Sequence, residues 1–114
     1  MSEQFLKNIP YTQTVDFSSL VSYQDGQVIS RTLSQGPNLS LTLFAFDKNE
    51  EISTHASSGD ALVQILDGQA RITIGDQQFE LSKGEAIVMP ANIPHALFAV
   101  ERFKMFLTVV FKNS

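Results

Sequence analysis

The sequence predicts an all-β barrel or sandwich. Three observations carry this expectation. Apolar and polar residues alternate with period 2 in run after run downstream of residue 26. Over the same stretch no segment repeats convincingly near 3.6. Turn signals at Asp25-Gly26, Gly36-Pro37-Asn38, Asp67-Gly68, Gly75-Asp76 and Ser82-Lys83-Gly84 cut the alternation into roughly nine short strands.

Residues 1–25 are mixed, and the spacing from Val15 to Val21 fits one helical turn or an irregular edge strand equally well. This segment is expected to pack on, or exchange with, a single barrel domain spanning 26–114. Gln27–Ser34 alternates, as does the segment from Leu39, whose end, LFAF, is apolar on both faces. Asp47–Glu51 reads as a charged, solvated loop, and Ile52–His55 as a short strand. Ala61–Leu66 and the alternation from Ala70 to Ile74 read as two further strands. Gly75-Asp76 turns the chain into Gln77–Leu81, with Phe79 and Leu81 expected to face the core. Ala86–Met89 is a buried strand stopped by Pro90, which cannot donate to a ladder. Pro94 fixes the backbone entering His95–Val100, and Phe103–Phe111 closes the chain with apolar bulk on both faces. The doubly apolar stretches Leu43–Phe46 and Phe103–Phe111 must be covered, and a homodimer packed sheet on sheet would do so.

Composition narrows the function classes. A chain of 114 residues supports one domain with a modest core. Its net charge of −4, without any Lys/Arg cluster, speaks against a nucleic-acid surface. Cysteine is absent, which removes disulfides, thiolate metal sites and cysteine nucleophiles. No signal peptide is visible at the N-terminus, and no apolar stretch is long enough to span a bilayer. A cytoplasmic protein is expected. No GxSxG elbow, Walker loop or dinucleotide fingerprint occurs.

The chain has two histidines, His55 and His95. Each lies in a spaced pattern. The first pattern runs Asn49, His55, Ser57, Ala61, Gly68; the second runs Gly84, Pro90, Asn92, His95, Ala99. In both, the spacing resembles the paired motifs of the cupins, small jelly-roll barrels (double-stranded β-helices) with a site inside the barrel. The cupin motifs carry glycine where this chain has Asn49 and Asn92. Asparagine is the other residue that best tolerates the left-handed backbone region, so both turns can survive.

The resemblance implies a divalent metal held by His-x-His, a glutamate and the histidine of the second motif. Here the second histidine is Ser57 and the glutamate is Ala61, leaving His55 and His95. Two imidazoles alone make a poor metal site, because catalytic zinc usually keeps three protein ligands plus water. Asp60 could replace the acid only if its strand begins at Ala61, and Gln64 has the wrong parity. The expectation is a small-molecule-binding domain with a reduced two-histidine site, holding a small polar molecule and, weakly, a divalent metal. Ser57, Ala61, Val63 and Leu97 are the expected ligand-binding wall. The alternative is a metal-dependent cupin enzyme, a dioxygenase or isomerase, that uses His55 and His95. The resemblance also adds support for the homodimer.

Overall fold

The computed structural model describes residues 4–112. The outer ends of the expected segments 1–25 and 26–114, residues 1–3 and 113–114, lie outside the described residues. Seven strands form among the described residues: β1 Val28–Gln35, β2 Leu39–Phe46, β3 Glu51–His55, β4 Asp60–Ile74, β5 Gln77–Ser82, β6 Ala86–Met89 and β7 His95–Val110. Phe17–Leu20 forms one short 3-10 turn, which settles the ambiguous spacing before residue 26.

The strands pair antiparallel in the order β1-β2-β7-β4-β5, with β3 added to β7 and β6 to β4. Two long strands organise this arrangement. The first half of β4 pairs with β6 and with the second half of β7. Its second half pairs with β5 and with the first half of β7. Each long strand thus serves both halves of a jelly-roll barrel.

This corrects the expectation of nine short strands. Asp67-Gly68 is not a turn between two strands. It is an irregularity inside β4, where the ladder to β7 shifts register at Ile65/Asp67 and again at Gly68/Ala70. Gly68 has φ +78°, and a Cβ placed there would stand 1.8 Å from the Arg102 carbonyl oxygen. Glycine therefore lets two backbones cross at the point where both long strands change partners. Residues 95–100 and 103–110 likewise form one strand.

The barrel interior is built from the inward positions of these strands. Phe46 stacks on Phe103 with ring centroids 4.4 Å apart, and Val63, Ile65, Ile72 and Met105 complete a buried cluster. Each such side chain contributes about 1.5–3 kcal/mol by leaving water. Leu81 is buried, but Phe79 is 37% exposed, contrary to expectation. Phe79 lies on an edge strand nearer the hairpin turn, outside the buried cluster.

The second apolar face has its own cover. Val21, Phe17 and Leu20 pack against Leu33, Leu43, Ala45 and Phe106. The rings of Phe17 and Phe106 meet edge to face at 4.9 Å. Polar ties hold this segment down. The Lys7 amide donates to the Leu33 carbonyl at 2.8 Å, and Arg31 donates to the Asn8 and Leu20 carbonyls at 2.7 and 2.8 Å. Lys104 donates to the Ser18 carbonyl at 2.7 Å. Tyr23 donates to Asp67, while Arg102 lies over its ring at 4.4 Å. Burial first, and the Asp67 carboxylate second, push the Tyr23 hydroxyl well above the ordinary tyrosine range.

Candidate functional site

His55 ends β3 and His95 begins β7, and the two are direct partners across that ladder. Simple alternation would not bring this about. Ile52 pairs with Leu97, and three positions further on β3 matches two on β7. One extra residue is accommodated between Ile52 and His55, so His55 returns to the inward face that Ile52 occupies. The Nε2 atoms of His55 and His95 then lie 3.1 Å apart, although the residues are 40 positions apart in sequence. Their rings meet at 77° with centroids 4.3 Å apart.

The two imidazoles differ in environment. His55 is exposed, and its Nδ1 lies 3.0 Å from the Ser53 carbonyl. His95 is 3% exposed, and its Nδ1 is buried without a hydrogen-bond partner. Burial first, and the neighbouring His55 ring second, hold the His95 pKa below the ordinary histidine value; the Ile93 backbone acts the other way.

Both rings open onto a cavity of about 200 Å³. His55, His95 and Ser57 are its polar lining groups. The Ser57 hydroxyl already accepts from the Gly59 amide at 3.1 Å. The remaining wall is apolar: Phe44, Ile52, Ala61, Met89, Leu97, Met105, Leu107 and Val109. Of the residues expected at the site, His55, His95, Ser57, Ala61 and Leu97 line the cavity. Val63 does not; it is fully buried in the core cluster.

The sequence puts Met89 and Met105 on strands but not at the site. Register places them. Ala61 lies opposite Met89 on one side and Val109 on the other, and Met105 pairs with both Phe44 and Ile65. The small Ala61 side chain leaves the space that these larger neighbours surround.

Among the described residues, no carboxylate joins the imidazoles. Asp60 is already part of β4, and its Oδ1 accepts the Ala91 amide at 2.8 Å. It braces the loop before His95. Among the described residues, no group of three or more His, Cys, Asp or Glu side chains could hold a metal ion. Asn49 and Asn92 have φ of 72° and 65°, so both occupy the left-handed region that glycine would otherwise fill.

The model of the cupin domain family matches residues 42–111. The chain belongs to the cupin family. Solved structures match between 81% and 100% of it. A conserved protein of unknown function from Streptococcus pyogenes is 43% identical, with all of both chains covered and a TM-score of 0.97. A cupin superfamily protein from Desulfitobacterium hafniense is 34% identical over 94% of this chain and 98% of its own, with a TM-score of 0.90. A cupin 2 conserved barrel domain protein from Leptotrichia buccalis is 43% identical over 81% of this chain and 45% of its own, at a TM-score of 0.79. No curated protein matches the sequence.

The metal that this cupin's family implies can be tested against the donors present. A catalytic centre usually keeps three protein ligands and an open position. This cavity offers two imidazole nitrogens, a hydroxyl already engaged and hydrocarbon walls. That donor set does not fit a tightly held catalytic ion.

Proposed function

We propose that this cupin binds a small organic molecule in the cavity behind His55 and His95, and that it needs no tightly held metal to do so. The observation that carries the reading is the cavity itself: two facing imidazoles at a polar end, and hydrocarbon walls elsewhere. Small-molecule sites have this character, being mostly apolar with few polar groups to fix orientation. The polar ligand expected from the sequence becomes a largely apolar one with a single polar head. Ser57, Ala61 and Leu97 belong to its wall.

His55 and His95 are the two protein groups that would hold an ion, and two nitrogens give only a weak grip. Elemental analysis of the purified protein is expected to show well under one transition metal per chain after dialysis, with a small organic ligand found by native mass spectrometry. One tightly held ion per chain together with turnover of an organic substrate would overturn this and restore the enzyme reading. Among the described residues, that reading lacks an acid grouped with the imidazoles to orient them.

No helix among the described residues is long and apolar enough to cross a membrane. A cysteine-free chain suits a reducing compartment, and we place the protein in the cytoplasm. A homodimer stays as a proposal on a narrower basis. The face that called for cover is filled by residues 9–23 of the same chain, so a second copy would have to meet exposed side chains such as Leu39, Val88 and Val110.

A further inference from the structure

Building on the ligand-binding reading above, we propose that the cavity takes a small neutral hydroxyl compound, a phenol or a short-chain alcohol. Its hydroxyl would join the hydrogen-bond chain of His55 and His95.

A carbonyl can only accept, so the His55 Nδ1 that faces the Ser53 carbonyl at 3.0 Å carries a proton. A neutral imidazole has one N–H, which leaves His55 Nε2 as a bare acceptor. His95 Nε2, 3.1 Å away, must then donate, since otherwise two lone pairs would face one another.

The polar end of the cavity therefore presents one donor, the His95 Nε2–H, beside one acceptor, the His55 Nε2. A hydroxyl oxygen satisfies both, accepting from His95 and donating to His55. The exposed His55 ring can give way to admit it, while burial holds His95 in place. A carboxylate only accepts. It would meet the His55 lone pair, and its charge would be buried with no cation on the cavity wall. An ammonium only donates, and it would find no acid there. A bare hydrocarbon gains nothing from the pair.

The walls set the remainder of the ligand. Phe44, Met89, Leu97, Met105, Leu107 and Val109 offer no polar partner. An engineered cavity of about 150 Å³ lined by Leu, Ile and Phe admits benzene, and this cavity is about 200 Å³. One ring, or a chain of similar bulk, fits with its head group.

The test is calorimetric titration of the whole chain at about pH 8, where imidazole is neutral. The probes are phenol, benzoate, benzylamine and fluorobenzene. Phenol is expected to bind at least ~10-fold more tightly than each of the others, a ratio equal to one additional net hydrogen bond. Imidazole nitrogen shifts in NMR should show the proton on Nδ1 of His55 and on Nε2 of His95, and phenol should perturb both rings. Filling the space with Ala61→Leu or, on a different strand, Leu107→Phe should abolish phenol binding. If benzoate, benzylamine or fluorobenzene binds as well as phenol, the hydroxyl assignment falls while the ligand-binding reading stands. The opposite tautomers would overturn it too. If none of the four binds the wild-type protein, both are overturned.

Discussion

At His95, burial and charge work against each other. The ring is 3% exposed and faces a second imidazole, so its protonated form is disfavoured in the folded protein. The unfolded chain has no such penalty and protonates near the ordinary value of about 6.5. Below that pH the unfolded state binds a proton that the folded state refuses. Stability from this residue is therefore present above about pH 6.5 and falls away as the pH drops towards the lowered folded-state value. His95→Gln should remove this component. Urea unfolding from pH 8 to pH 5 should show the wild type losing more stability than the variant over that interval. Equal losses would show that His95 is not desolvated. Asn49 and Asn92 were legible at this scale as well. The resemblance implied their left-handed backbones, since cupin motifs carry glycine at both positions and asparagine tolerates positive φ.

Among elements, the long strands β4 and β7 decide the architecture, and their crossing depends on Gly68. Gly68→Ala would put a methyl group against the Arg102 carbonyl at a residue with φ +78°. A loss on the order of 3 kcal/mol is expected in urea unfolding; a loss below about 1 kcal/mol would show that the crossing can relax. Tyr23→Phe removes the bond to Asp67 that ties the N-terminal segment to β4. It should cost about 1 kcal/mol, leaving ligand binding in the cavity unchanged. At this scale the sequence misled in one respect. Asp67-Gly68 has the composition of a hairpin turn, yet it serves as an irregularity within a continuing strand. Local residue types cannot separate the two, because the difference lies in whether another strand continues the ladder past it.

For the whole molecule, the governing fact is that both faces of the β1-β2-β7 region are apolar and both are covered. One face lines the barrel core and cavity. The other lies under residues 9–23. Removing residues 1–24 should expose Leu33, Leu43, Ala45 and Phe106 and drive self-association. Light scattering at micromolar concentration should report a larger particle for the truncated chain than for the full one, and equal sizes would show that the face needs no cover. The doubly apolar pattern in Leu43–Phe46 announced that something must lie there. It could not distinguish the chain's own N-terminus from a second copy, since either buries the same area.

Alternation and turn residues by themselves determined the all-β class, because period 2 and the left-handed turn positions are local properties of the backbone. The resemblance of the two spaced motifs to those of the cupins implied that the chain's two imidazoles meet. Only the tertiary structure decided how they meet, with one extra residue in β3 turning His55 inward. It also decided what surrounds them. Met89, Met105 and Val109 reach the cavity through register across three strands, and register is settled by pairing partners far away in the chain.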